Sequence, residues 1–392
     1  MWGLAIGQFL YALGDGFLYP FVAFYLTRNL HLPMASAGIF MGIAGIGYVL
    51  GQLPAGYLTD RFGPKLVAVM AYAISGVSII MAPMAHRAWV WVIAYGLALT
   101  MTGVAYPAML HAMTMKGTSK RRTQALSLLI LAYNAGLIIG PLAGLPLALN
   151  HFSLIFWIDG SCLLASSLVL ALAMPSGLGR RIGPKVRLFT GKVWRQWLYL
   201  PPWKQSGFWS LALGGTLIGV IYSQLASTFP MEMGHTLSVL RWYGLLWAMN
   251  GALIAVLQWP VSYLLQHRSR RFWMGLGAIL YAVAMIVLGI SAEVTMIVVA
   301  FLVVTMGELV YEPLPPGEYA EQAPKGFGAR YQGAGSFFNA MGMVIGPVLG
   351  GLILSGWGKL GLWFLMGGLG LTAAVLIGHH VPQGRQTGTN AL

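Results

Sequence analysis

Apolar runs recur along the whole chain, separated by short polar connections, and each is roughly 20 residues long, the length a helix needs to cross a hydrocarbon core. Twelve such runs are predicted, at 3–27, 34–58, 65–85, 88–111, 122–145, 151–174, 206–229, 239–265, 272–292, 294–315, 327–354 and 359–379. Only helices or closed barrels satisfy every backbone group in lipid, and these runs are too long and too evenly apolar for barrel strands. Only 8% of the 392 residues are Asp, Glu, Lys or Arg, against about 25% in soluble domains. The predicted fold class is an all-α integral membrane protein with twelve transmembrane helices.

A net charge of +14 raises nucleic acid as a partner, but the distribution of the charge argues against it. With the N-terminus placed in the cytoplasm, 19 of the 23 Lys and Arg residues fall in inner connections or the C-terminal tail, leaving Arg28, Arg87, Arg241 and Lys359 outside. That asymmetry is the positive-inside pattern, and both termini are expected to be cytoplasmic. The chain begins in an apolar run without a basic leader, which reads as a first spanning helix rather than a signal peptide. One cysteine, Cys162, excludes an intrachain disulfide and a cysteine metal cluster. The expected organisation is a six-helix bundle over 1–175, a basic linker over 176–205, a second six-helix bundle over 206–380 and a cytoplasmic tail over 381–392. Trp194, Trp197 and Trp203 among the linker's basic residues suit a headgroup region.

The halves repeat at an offset of 206 residues. Gln52, Pro54, Tyr57 and Leu58 fall on Gln258, Pro260, Tyr263 and Leu264. Gly136, Gly140, Pro141 and Gly144 fall on Gly342, Gly346, Pro347 and Gly350, and Pro107 falls on Pro313. Repeats related across a pseudo-symmetry axis are the common construction of secondary transporters.

Ionisable groups at membrane depth cost several kcal/mol, roughly, unless they face protein or water. Asp15 lies midway along the first run with Gln8 and Tyr11 on the same helical face. Glu308 lies deep in the tenth run, and Glu312 follows one turn later on the same face, where two ionised carboxylates repel. Asp159 sits a third of the way along the sixth. These four are the candidate proton-coupling groups, each with a structural alternative as a buried hydrogen-bonding residue. Glu232, Glu293, Glu318 and Glu321 fall in connections and are expected to be solvated.

Candidate substrate-binding groups are Gln8, Tyr11, Tyr106, Tyr133, Asn134, Tyr222, Gln224, Trp247, Asn250, Gln332, Phe337 and Asn339; His111 is a further candidate for the cavity lining. Aromatic and Met-rich walls suit apolar or cationic compounds better than sugars, which need many convergent donors and acceptors. Candidate gating residues are Gly56, Asp60, Arg61, Gly63 and Lys65, in the turn between the second and third helices, and the Gly140-Pro141 and Gly346-Pro347 pairs. Proline removes a helical hydrogen bond, and small residues permit close helix contact.

The chain resembles the major facilitator superfamily across its full length. The segment Gly56 to Lys65 is similar to that family's signature between helices two and three, with Leu66 where a further basic residue often stands. Gly136 to Gly144 resembles the antiporter signature of the drug/proton subgroup, and Gly307-Glu308-Leu309-Val310-Tyr311-Glu312-Pro313 resembles the tenth helix of bacterial multidrug efflux proteins. The resemblance implies two pseudo-symmetric six-helix bundles, proton coupling at Glu308 first and Asp15 second, and a conformational latch at Asp60. It also implies export of small amphipathic or cationic compounds across the bacterial cytoplasmic membrane; carriage of another metabolite, lipid-linked molecule or sugar is the alternative. Many drug/proton antiporters carry an arginine in the fourth helix, where this chain has neutral Thr100 and Thr102. The second-half counterpart of the loop motif carries Gln266 in place of the acid. The expected partners are a small-molecule substrate, protons and membrane lipids. Neither cofactor nor metal is expected, the chain is expected to act as a monomer, and no enzyme motif is present.

Overall fold

The computed structural model describes residues 2–84, 87–114, 119–175, 206–233, 237–265, 269–290, 293–323 and 328–378. The basic linker at 176–205 and the tail at 381–392 lie outside the described residues, as do the side chains of Gly56, Asp60 and His111. Among the described residues every regular element is helical.

The first bundle contains α1 (Trp2–Leu18), α2 (Val22–Arg28), α3 (Met34–Phe62), α4 (Pro64–Met81), α5 (Ala88–Thr114), α6 (Ser119–Asn150) and α7 (Phe152–Ala173). The second contains α8 (Ser206–Ser223), α9 (Thr228–Met233), α10 (Leu237–Leu264), α11 (Arg270–Ile290), α12 (Val294–Tyr311), α13 (Pro315–Gln322) and α14 (Gly328–Gly378). Among the described residues eleven segments are long and apolar enough to cross a membrane. The last, Tyr331–Gly378, has 48 residues, or about 72 Å of helix at 1.5 Å per residue, more than twice a hydrocarbon core. It breaks at Gly358, whose φ of 70° belongs to glycine. Two arms result, and with them a twelfth span.

Two predicted spans are divided. The first gives way at a 3-10 turn over Tyr19–Phe21, where Pro20 cannot donate to the preceding turn. The seventh gives way at residues 224–227, between α8 and α9. Six other prolines stay inside continuous helices, at Pro54, Pro107, Pro141, Pro146, Pro260 and Pro347, because neighbouring helices support the chain there.

The bundles pack in the same pattern. In the first, α1 packs on α6 and α7, α3 on α5, and α4 on α5 and α7; in the second, α8 packs on α14, α10 on α12, and α11 on α12 and α14. Small residues make the equivalent contacts. A Cβ on Gly140 would come 2.7 Å from the Leu13 carbonyl oxygen, and one on Gly346 would come 2.8 Å from that of Val220. The repeat seen in the sequence is thus a repeat of helix approach. Side chains add cross-helix bonds: Ser166 Oγ donates to Gly7 O at 2.8 Å, and Thr216 Oγ1 donates to Phe338 O at 3.0 Å.

The halves meet along α3 with α14 and α6 with α10, while α9 touches α2 and α3. The close approaches lie at the end of the membrane remote from the N-terminus. A Cβ on Gly351 would lie 3.3 Å from Ala35 Cα, one on Gly45 would lie 3.3 Å from Val344 Cγ2, and one on Gly244 would lie 2.7 Å from Pro141 O. Phe21 and Tyr243 join the closure, ring centroids 5.8 Å apart.

Two expectations about connecting acids need correction. Glu318 is not solvated: its side chain is 12% exposed and its Oε1 accepts from Arg271 Nε at 2.7 Å. Glu232 is equally enclosed; it accepts from Trp363 Nε1 at 2.6 Å and pairs with Lys359 at 3.2 Å. Both glutamates sit on short helices, α13 and α9, folded back onto the bundle ends, where an unpaired charge would be costly. Glu321 pairs with Arg270 and is more exposed.

Candidate functional site

A cavity of about 610 Å³ lies between the bundles and draws its walls from both, a size suited to one small organic molecule. From the first half come Tyr11, Asp15, Tyr19, Tyr48, Tyr95, Tyr133, Asn134 and Asp159; from the second come Tyr222, Trp247, Asn250, Gln258, Glu308, Glu312 and Asn339. Four carboxylates therefore face one chamber. Among the described residues no Lys, Arg or His lines it.

Among the described residues Glu308 takes its hydrogen bonds from the second half. Asn250 Nδ2 donates to Glu308 Oε2 at 2.8 Å, and Tyr222 hydroxyl donates to Oε1 at 3.3 Å. Asn250 also donates to Thr305 Oγ1 at 3.0 Å, and that hydroxyl donates to Phe301 O at 2.7 Å. Thr305 is therefore left as an acceptor, which fixes the Asn250 amide with its NH2 toward Glu308. Glu312, one turn nearer the N-terminal side of the membrane, is exposed. The closure at the opposite end and this exposed acid mark the cavity as open on the N-terminal side.

Asp15 is surrounded differently. Tyr11 stacks with Tyr133 at 6.2 Å and meets Tyr72 at 5.5 Å, while Tyr19 reaches across to Trp247 at 6.4 Å. Asp159, 5% exposed, comes from α7 and packs on Gly14, where any Cβ would overlap its carboxylate.

The predicted residues divide by position. Tyr11, Asp15, Tyr133, Asn134, Asp159, Tyr222, Trp247, Asn250, Glu308, Glu312 and Asn339 line the chamber, with Pro141 and Pro347; Gln8, Tyr106, Gln224, Gln332 and Phe337 are not among the lining residues. Gln8 shares the face of Asp15 but lies about 10 Å lower along α1, and it is buried. Gln224 ties the broken helix to the kinked one, with Nε2 donating to Val220 O at 2.7 Å and Gly346 O at 3.0 Å. Gln332 donates to Pro316 O at 3.0 Å, joining α14 to α13. Tyr106 and Phe337 are partly exposed. Tyr19, Tyr48, Tyr95 and Gln258 were missed; Tyr19 follows Asp15 at helical spacing, and Gln258 belongs to the repeat.

The loop between α3 and α4 turns at Gly63, φ 84°, and Pro64 opens α4. Arg61 donates to the Tyr57 hydroxyl at 2.7 Å. Lys65 donates to Met174 O at 2.5 Å, placing a cation on the C-terminus of α7.

Two pseudo-symmetric helical bundles around one central chamber define a membrane carrier of small solutes, a transporter and not an enzyme. The chain belongs to the Major Facilitator Superfamily, whose model matches residues 4–340 and 243–390. It is 26% identical to YttB, an uncharacterised transporter of this type from Bacillus subtilis, over 91% of this chain and 88% of that one. It is 23% identical to a Na(+), Li(+), K(+)/H(+) antiporter of Planococcus maritimus, over 92% and 90% of the two chains. It is also 23% identical to the multidrug resistance protein MdtH of Proteus mirabilis, over 94% and 91%. Among solved structures, a peptide transporter POT in complex with sulfate superposes with a TM-score of 0.82 at 15% identity, covering 96% of this chain and 93% of that one. The nucleoside transporter NupG gives 0.78 at 13% identity, covering 96% and 97%. These structures share the fold. The chain is a secondary transporter of a small molecule.

Proposed function

We propose that this protein is a proton-coupled transporter of small amphipathic organic solutes, cations preferred, which works by alternating access in a bacterial cytoplasmic membrane with the N-terminal side facing the cytoplasm. The observation that carries the reading is the chamber itself: four carboxylates and a set of Tyr and Trp rings, with no basic residue lining it among the described residues. Carboxylates and ring faces attract cations. A carboxylate open to one side and then the other exchanges protons as the halves rock. Asp60, with Arg61 and Lys65, is assigned to the loop that latches the cytoplasmic ends.

Drug export is the narrower form of this reading. The broader form, carriage of another small metabolite, has wider support among relatives, since their names run from alkali-cation/proton exchange to multidrug resistance and the fold neighbours include peptide and nucleoside transporters. Both forms require coupling at the chamber acids. Sealed proteoliposomes with an imposed pH gradient test them, using organic-cation dyes first and then peptides, nucleosides and sugars. Substrate-dependent proton movement that disappears in Glu308→Gln is the expected result. Accumulation indifferent to the gradient, and to both Glu308→Gln and Asp15→Asn, refutes the coupling.

A further inference from the structure

The four chamber acids differ in what the chain offers them. Both oxygens of Glu308 already have donors, from Asn250 and Tyr222, and the Thr305 link prevents the Asn250 amide from turning its oxygen to the acid without losing a bond. Such donors complement an ionised carboxylate and form charge-assisted bonds with it. In the first half neither Asp15 nor Asp159 accepts a hydrogen bond or forms an ion pair with any described residue. Asp159 is nonetheless only 5% exposed and lines the chamber, so its charged form relies on chamber water in place of donors from the chain, whose bonds to a charged group would be worth more. It is also held in place, because the missing Cβ of Gly14 makes the room for its carboxylate on α1.

The titratable groups within reach of Asp159 come from α1, α5 and α7 itself; α6 also packs on α7 but among the described residues places no charged group there. Asp15 of α1 lies within Coulombic reach, as do Tyr95 of α5 and Cys162 one turn along α7. Ser75 of α4 also lines this part of the chamber, but its hydroxyl is spent on Ala98 O at 3.0 Å. None of these carries a positive charge.

Resting on the transport reading above, we propose that the two halves divide the positive charge they accept: Glu308 is the counter-ion of a cationic substrate, and Asp159, paired with Asp15, carries the coupling proton. The step is a proton adding to one carboxylate oxygen of that pair, with no other bond made or broken. The substrate cation meets an acid whose orientation is fixed, while the proton goes where the chain has supplied no donor. Exchange then couples the halves, because one charge is bound on each side of the interface that moves.

The test is infrared difference spectroscopy of the full-length protein in liposomes, titrated between acid and neutral pH without substrate. The C=O stretch of a protonated carboxyl separates cleanly from carboxylate bands. It is expected in the wild type, lost in Asp159→Asn, displaced but present in Asp159→Glu, and unchanged in Glu308→Gln. A band that vanishes in Glu308→Gln, or that survives unaltered in both Asp159 variants, overturns the proposal. Gly14→Ala provides a check that keeps both acids in the chain: the band is expected to move as Asp159 is displaced, and an unmoved band counts against the assignment. In a parallel measurement, tetraphenylphosphonium binding is expected to fall at least about tenfold in Glu308→Gln, a loss of roughly 1.4 kcal/mol or more. In Asp159→Asn it is expected to persist but lose its pH dependence, and the reverse pattern overturns the proposal. The spectra need neither substrate nor gradient. A failure of proton-driven transport in proteoliposomes is therefore distinguishable from a misassigned carboxyl.

Discussion

Replacing Glu308 with glutamine keeps its shape and removes its charge, so it isolates what the bonds from Asn250 and Tyr222 are for. Bonds to a charged group are worth about 1.5–3 kcal/mol, so cation binding is expected to weaken about 10- to 100-fold, measured by equilibrium dialysis of a lipophilic cation. Asn250→Leu leaves the acid in place but strips its orienting donor, and a smaller loss of the same sign is expected in that assay. Away from the chamber, Glu232→Ala leaves the indole N–H of fully buried Trp363 without its acceptor. A loss of about 1–3 kcal/mol is expected, read as an earlier thermal unfolding transition of the purified protein with transport specificity unchanged. The chamber acids were legible in the sequence because a carboxylate within an apolar run is conspicuous. Their partners were harder to find. Tyr48 and Tyr95 look like any aromatic in a membrane helix, and only their place on the chamber-facing sides of α3 and α5 brings them into the cavity with Asp15.

The breaks between α1 and α2 and between α8 and α9 fall at the same level of the two bundles, and α6 and α14 carry their Gly-Pro pairs beside those breaks. The sequence predicts uninterrupted spans over 3–27 and 206–229. Proline content alone does not locate the interruptions, since six prolines lie inside continuous helices. What differs at Pro20 is the surroundings: the chain passes into the 3-10 turn and α2, closely packed by Phe21 and Tyr243. The glycine signature was more readable, because the Gly140 and Gly346 approaches follow from small residues repeated on one face. Gly38 gives a test at this scale. A Cβ there would collide with the Pro347 carbonyl across the α3–α14 contact, so Gly38→Leu is expected to hold the closed end apart. Thiol labelling at Val344→Cys should then rise relative to the same cysteine without the leucine.

For the whole molecule, a repeat visible at one offset became two bundles with matching packing, which is why fold class was legible before any contact was known. The state of the carrier was not legible, since one sequence serves both arrangements and only the side on which the halves touch distinguishes them. That contact can be fixed. In a Cys162→Ala background, cysteines at Ala35 and Gly351 are expected to cross-link under oxidation, abolish transport, and restore it on reduction. Unimpaired transport by the cross-linked protein would contradict rocking about this interface.

Among the described residues no basic side chain lines the chamber, and this has an electrical consequence. With no lysine or arginine among those lining residues to offset them, the acids carry charge across in proportion to how many remain unoccupied during the swing. One monovalent cation leaving as one proton enters moves no net charge, so the cycle is silent to membrane voltage. A second proton per cycle would make it current-generating, with each extra charge worth about 2.3 kcal/mol per 100 mV. The dependence of accumulation on voltage in vesicles therefore counts the protons in each turnover.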